Sequence, residues 1–336
     1  VFSTGGQLAT GTLSGNVTLA ENGKADSTLL VMLYTNLNDS AVQKLKPEYY
    51  TRLDSGGNFH FKFLPAAKFA VYVLPNDYSK KYDDSTKMFA FYNTPVDVNN
   101  QPDSIKLYAF QEQKPKEKAA LPSSPDNKKD KTAEDKRLKL TSNLSSNEQD
   151  LLGGLELTLS RKIKIFDTAR IVLTDTGYKP ITGYTWQADT SFTKYSLQFK
   201  WPENELYKLI IQKEAFTDSA GVTLSKSDTL SFKTKRESQY GSVKLHFNNI
   251  DLARHPVIQL VQSEVIVKSI VLTSADWFTK LFEPGEYQLR VLFDDNKNGI
   301  WDAGNFAAKL QPEIVQRIPR KLVIKANWDN EVDINL

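Results

Sequence analysis

None of the 336 residues is cysteine. That absence excludes a disulfide framework, Cys-ligated zinc or iron–sulfur chemistry and a thiol nucleophile within this chain. No apolar run approaches the roughly 18 residues of a membrane span, and residues 1–11, VFSTGGQLATG, lack the regions of a signal peptide. Charge of one sign is missing too. The 43 basic and 40 acidic residues leave a formal +3, too balanced to imply nucleic acid as a partner, which calls for a clustered basic face. There is no G-x-S-x-G elbow, Walker loop or dinucleotide-binding glycine pattern. The three histidines, His60, His246 and His255, fit no metal-ligand spacing, and His60 alternates with phenylalanines as a strand residue does.

What is present is enough apolar material, 40% of the residues, for two to four domains with cores of their own. Short runs rich in β-branched and aromatic residues recur between turn residues, at 12–19, 29–35, 58–63 and 69–74, then 155–159, 170–174, 195–199, 207–212 and 229–234. The series continues at 242–247, 257–261, 265–272, 287–293, 321–325 and 332–336. This spacing predicts an all-β fold of tandem β-sandwich modules. Phe59, Phe61 and Phe63, and then Phe69, Val71 and Val73, alternate with period two, which aims each set at a buried face. Helical signal is scarce, with about two turns expected at 145–152 and at 273–281. Residues 111–139 carry several prolines, dense mixed charge and almost no large apolar side chains. They read as a flexible linker that lets the first module reorient against the others.

An internal repeat gives the modules an order. FLPAAKFAVYVLPNDYSKKYD at 63–83 resembles FEPGEYQLRVLFDDNKNGIWD at 282–302, and VFST at 1–4 matches SFKT at 231–234. The expected boundaries are a terminal strand of a truncated Ig-like domain at 1–10, sandwiches at 11–110, 140–235 and 236–336, and the linker at 111–139. On this reading the chain opens on the last strand of a module whose body lies upstream.

The stretch ending DSAGVTLSKSDTLSFKT, through Asp218, Gly221 and Phe232–Thr234, resembles bacterial Ig-like domains of the S-layer-associated type. Its flanks resemble transthyretin-like modules, also seen as regulatory-type domains of carboxypeptidases, through D-x-x-G-x-F-x-F-x-x-L-P at Asp54–Pro65 and F-x-P-G-x-Y at Phe282–Tyr287. Ala66 and Ala67 stand where Gly is usual. The order of modules is similar to that of Ig-like envelope lipoproteins of Bacteroidetes-type bacteria. That resemblance implies an outer-membrane lipoprotein, on the periplasmic or the surface face, with its lipid anchor upstream of Val1. It also implies other outer-membrane or surface proteins as partners.

Residues 294–302, DDNKNGIWD, place side-chain oxygens at relative positions 1, 3, 5 and 9 and Gly at position 6, like the first part of an EF-hand-type loop. Asp294, Asn296, Asn298 and Asp302, with the Ile300 carbonyl, form a candidate Ca2+ site. Asn305 stands where the bidentate Glu would be. The alternative is an Asx-rich turn held by its own hydrogen bonds. The equivalent loop at 76–83 contains Lys80 and Lys81 and suits a cation less well. Carboxylate neighbours such as Asp83–Asp84 and Asp294–Asp295 would point to opposite faces of a strand and do not by themselves make an acid/base pair. Five tryptophans, Trp186, Trp201, Trp277, Trp301 and Trp328, are scattered without a repeated spacing. Trp301, beside the candidate cation loop, is the aromatic to examine for binding.

The expectation is therefore a non-catalytic scaffold or protein-interaction subunit of the cell envelope. A glycan-binding accessory protein is the alternative, and it requires exposed aromatics on one face. A third reading, a carboxylate-dependent hydrolase, requires acids from different strands to meet in a cleft.

Overall fold

Period-two alternation becomes strand almost everywhere it occurs. The computed structural model describes residues 9–100, 104–113 and 137–336. In the N-terminal part lie β1 (Gly11–Leu19), β2 (Leu29–Tyr34), β3 (Tyr49–Arg52), β4 (Asn58–Leu64), β5 (Lys68–Pro75), β6 (Ala90–Phe91), β7 (Val96–Asp97) and β8 (Ile105–Ala109). They form two facing sheets, β4-β1-β8 and β3-β2-β5-β6, with β7 also on β5. Leu13, Val17, Val31, Leu33, Phe59, Phe61, Val71, Val73 and Leu107 fill the space between them.

The central part holds β9 (Leu140–Ser142), β10 (Glu148–Gln149), β11 (Leu155–Leu159), β12 (Ile163–Phe166) and β13 (Ile171–Thr174). It continues with β14 (Thr185–Ala188), β15 (Lys194–Gln198), β16 (Leu206–Ile211), β17 (Phe216–Asp218) and β18 (Asp228–Thr234). Sheets β10-β18-β16-β13 and β14-β15-β11-β9 enclose a core that includes Leu157, Leu197, Trp201, Leu209 and Phe232. The D-x-x-G turn is built as its residues require. Asp218 Oδ1 accepts the N–H groups of Ala220 and Val222, both at 2.8 Å, and Gly221 takes φ +78°, where a side chain would be strained.

The C-terminal part contains β19 (Gly241–Asn248), β20 (Pro256–Gln262), β21 (Val265–Val271), β22 (Asp276–Phe282), β23 (Gly285–Phe293), β24 (Ile314–Ile324) and β25 (Asp329–Asn335). Its sheets, β22-β19-β25 and β21-β20-β23-β24, repeat the strand order of the N-terminal sandwich. The directions agree as well. β1 pairs antiparallel with β4 and parallel with β8, and β19 does the same with β22 and β25. The chain is thus all-β, a set of tandem sandwiches in which the first and last share one topology.

Several expectations need correction. Residues 145–152 make no helical turns: Ser145 bridges Glu148, and β10 joins β18. Residues 276–282 are the strand β22, because Trp277, Thr279 and Leu281 alternate toward the interior and the backbone pairs with β19. Phe63 does not continue the buried set of Phe59 and Phe61. The pairing of Leu13 with Phe61 and of Gly11 with Leu64 leaves an extra residue in β4, so Phe63 turns to solvent at φ 61° and Leu64 takes the inward place. Residues 1–8 and 114–136, on which the terminal strand and most of the linker were expected, lie outside the described residues. The N-terminal sandwich packs against the C-terminal one through a shared aromatic cluster.

Candidate functional site

The loop at 294–302 connects β23 to the segment that leads into β24. Asp294, 2% exposed, accepts the Asn298 N–H at 3.1 Å and the Gly299 N–H at 2.7 Å. Gly299 has φ +79°, which suits glycine at the tightest point. Asn298 Oδ1 accepts the Ile300 N–H at 2.8 Å. The side-chain amides of Asn296 and Asn298 donate to Asp302 Oδ2 at 2.7 and 2.6 Å. The structure therefore brings Asp294, Asn296, Asn298 and Asp302 together, while the Ile300 side chain is exposed.

One residue of this cluster was missed by sequence reasoning. Phe293 pairs with Ile314, which sets Glu313 beside Asp294 across the ladder. Glu313, 8% exposed, accepts the Asp302 N–H at 3.0 Å and the Asn296 N–H at 3.4 Å. Burial, together with the neighbouring Asp294 and Asp302 charges, raises its pKa above the ordinary glutamate value. Nothing in the local spacing flags Glu313, because it stands eleven positions beyond Asp302 and arrives only through strand pairing. Among the described residues, no three His, Asp or Glu side chains form a ready metal shell. The loop is closed by hydrogen bonds between its own amides and carboxylates.

The equivalent N-terminal loop is closed differently. The Lys87 ammonium sits among Asp77 Oδ2 (2.5 Å), Asp83 Oδ1 (2.7 Å), Ser79 Oγ (2.9 Å) and the Lys81 carbonyl (3.1 Å). Burial works against its charge, but the two carboxylates outweigh this and raise the Lys87 pKa. A built-in cation thus occupies one copy of the repeat, and its C-terminal counterpart gathers three carboxyl groups.

Trp301, near the end of the loop, is only partly buried. Its Nε1–H donates to the Glu313 carbonyl at 2.7 Å, and its ring packs against Val257, Leu292 and Val315. Beyond it, Phe306 enters the outer face of the N-terminal β3-β2-β5-β6 sheet. Its ring centroid lies 5.0 Å from Phe89, 5.2 Å from Phe91, 5.8 Å from Tyr72 and 6.0 Å from Tyr82. The Phe306 N–H donates to Glu112 at 2.8 Å, Gln311 donates to the Phe91 carbonyl and to Asn93, and Lys309 pairs with Asp39. A Cβ on Gly304 would come within 2.7 Å of the Phe110 ring, so the close approach requires glycine. Lys24 and Glu264, 2.8 Å apart, and the Val315 N–H to the Ala20 carbonyl, 2.8 Å, extend the contact.

The other tryptophans do not form a face. Trp201 is buried and donates to the Gly153 carbonyl, Trp186 packs edge-on against Phe166, Trp277 packs near Phe282, and only Trp328 is strongly exposed. Two acids, each just past the end of a strand, meet at the junction of the central and C-terminal sandwiches. Lys235 Nζ lies 3.0 Å from Asp150 and 3.7 Å from Glu283. The shared hydrogen bond with Asp150 and burial raise the pKa of Glu283. At Asp150 burial works the other way from the Glu283 and Lys235 contacts, which lower its pKa. The pair is within hydrogen-bonding reach and neutralised by a lysine, whereas glycosidase carboxyls stand about 5–9.5 Å apart. The junction is a charge-paired contact between modules. Tyr240 adds to it by accepting the Leu151 N–H on its hydroxyl at 2.8 Å.

No protein-family profile matches the sequence, and no curated protein does. Among solved structures, the chain is similar to the MG0-NIE-MG1 domains of native alpha-2-macroglobulin from Escherichia coli, at TM-score 0.27 and 12% identity, covering 55% of this chain and 72% of that one. It is similar to BcpA, the major pilin subunit of Bacillus cereus, at TM-score 0.20 and 12% identity over 97% and 98%. The fimbrial protein FimP from Actonomyces oris gives TM-score 0.21 and 12% identity over 99% and 98%. At these scores the likeness carries no argument about what this chain does.

Proposed function

We propose that this chain is a non-catalytic scaffold of the bacterial cell envelope, in which docked sandwiches hold their loops and edge strands in fixed relative positions for other outer-membrane or surface proteins. The observation that carries this reading is the insertion of Phe306 into the N-terminal aromatic cluster. Burying one phenylalanine contributes about 1.5–3 kcal/mol, and ring pairs add about 0.5–1.5 kcal/mol each. The envelope location and the lipid anchor rest on the module order and its resemblance. Small-angle scattering of the full chain tests the docked shape, and fractionation of native cells tests the location. An extended, variable envelope in solution would overturn the first, and recovery in the cytosolic fraction the second.

A second reading concerns the 294–302 loop, to which we assign Ca2+ as ligand. It is supported by the contrast between the two repeats, since Lys87 fills the N-terminal loop while no ion pair reaches Asp294, Asp302 or Glu313 among the described residues. The residue types, carboxyl groups and asparagines, suit a hard cation, whose binding would turn the Asn296 and Asn298 amides away from Asp302 so that oxygens face the ion. Glu313, just before β24, would add the carboxylate that the loop itself lacks. Calorimetric titration of the full chain with Ca2+ checks this, and an unchanged melting temperature with and without chelator sinks it.

A further inference from the structure

The first and last sandwiches share one topology, yet at two matching register positions on their edge strands they carry different side chains. In the N-terminal sandwich Tyr49 of β3 stands opposite Leu33, and Phe61 of β4 stands opposite Leu13. Tyr49 packs edge-on against Phe69 at 5.8 Å and Phe61 edge-on against Phe59 at 6.0 Å, so two aromatic rings cover the core between these edges. In the C-terminal sandwich the same positions, opposite Leu260 and Val243, hold Lys268 of β21 and Thr279 of β22. A lysine that keeps its ammonium in water and a short threonine cover less of the core. A groove of about 440 Å³ opens there, lined by Trp277, Leu281, Phe282 and Tyr287 beside Lys268 and Thr279. Leu152 of the central sandwich also lines it, so the groove lies at a module junction, and its size falls within the range of small-ligand sites.

The floor is aromatic and fixed by packing. Phe282 and Tyr287 are buried with ring centroids 5.4 Å apart, and the half-buried Trp277 stands edge-on to Phe282 at 6.3 Å. Lys268 is the single charged side chain of β21; it is exposed, and among the described residues nothing pairs with it. The two acids of the lining, Asp150 and Glu283, are already met by Lys235. The charge left to complement is therefore positive, and it calls for an anion. The rims decide against a strand or a second copy as occupant. Pairing with β20 leaves an extra residue in β21 at Val267, and pairing with β19 leaves one in β22 between Thr279 and Phe282. Such bulges interrupt the regular ladder that an added strand needs. A compact ligand with an apolar body and one negative group fits both the floor and the rim.

We propose that the groove between β21 and β22 binds a small amphiphilic monocarboxylate, such as a medium-chain fatty acid, with its apolar body against Trp277, Leu281 and Phe282 and its carboxylate at Lys268. The groove belongs mainly to the C-terminal sandwich, so the proposal goes beyond the scaffold reading and can fail without it. The test is calorimetric titration of the full chain with sodium decanoate, kept below micelle formation. Decyltrimethylammonium serves as the oppositely charged probe, and decanoate should bind several-fold more tightly. The double variant Lys268→Tyr, Thr279→Phe rebuilds the cover of the N-terminal sandwich. It should weaken decanoate about tenfold or more without lowering the melting temperature. Should the double variant fail to fold, Lys268→Glu decides, because this position is exposed. A several-fold loss for decanoate and a gain for the cationic probe are then expected. Four results would overturn the proposal: no saturable binding of decanoate, equal affinity for the two probes, affinity untouched by the deciding variant, or a dimer of the chain that this variant abolishes, which would give the groove to a second copy. Loss of the docked envelope in the wild-type chain would instead strike the scaffold reading.

Discussion

Lys87 closes the N-terminal loop and Glu313 closes the C-terminal one, with opposite charges. Lys87→Met removes the ammonium from between Asp77 and Asp83, and we expect a loss of about 1–2 kcal/mol because the site is partly open to solvent. Urea unfolding of the full chain measures it, and an unchanged midpoint would contradict the role given to this lysine. Glu313 predicts a pH effect whose sign follows from its raised pKa. A carboxyl whose folded-state pKa exceeds its unfolded one binds more protons in the native state, so its contribution to stability falls as pH rises through the interval between the two values. In chelator, the wild type should therefore gain on Glu313→Gln as pH is lowered from neutral toward the ordinary glutamate range. Parallel stability profiles for the two proteins would refute this.

At the scale of strands and loops, the extra residue in β4 separates two phenylalanines that look equivalent in the sequence. Phe61 is buried and Phe63 is exposed. Phe61→Ala should cost about 3–5 kcal/mol, and Phe63→Ser should stay within about 0.5 kcal/mol of wild type. Denaturant melts of both variants check the bulge directly. The 303–312 segment makes a different kind of prediction. Phe306 packs between sandwiches, so Phe306→Ala should leave the far-ultraviolet dichroism of the sheets intact while the radius of gyration increases. An unchanged radius would show that the polar contacts of Lys309, Gln311 and Glu112 suffice to hold the modules together.

Taken as a whole molecule, the three sandwiches are coupled at two junctions of different chemistry. The N-terminal to C-terminal junction is aromatic, and the central to C-terminal one is built from Lys235, Asp150, Glu283 and Tyr240. Tyr240→Phe leaves the Leu151 N–H without its acceptor, at a cost of about 1 kcal/mol. Calorimetry should show the unfolding of the central sandwich separating from that of its neighbour. A single transition that shifts without splitting would mean that the two unfold as one unit for other reasons. Much of this architecture was readable in advance. Alternation set the strands, Asp218 and Gly221 set their turn, and the similarity of 63–83 to 282–302 anticipated two sandwiches of one topology, because each of these depends on neighbours in the chain. The tertiary structure alone decided that the outer faces of β2 and β5 are buried, that Glu313 joins a loop eleven residues away, and that Phe306 joins two modules into one body. Those outcomes depend on which distant surfaces meet, and an apolar face in a sequence carries no mark of the surface that will cover it.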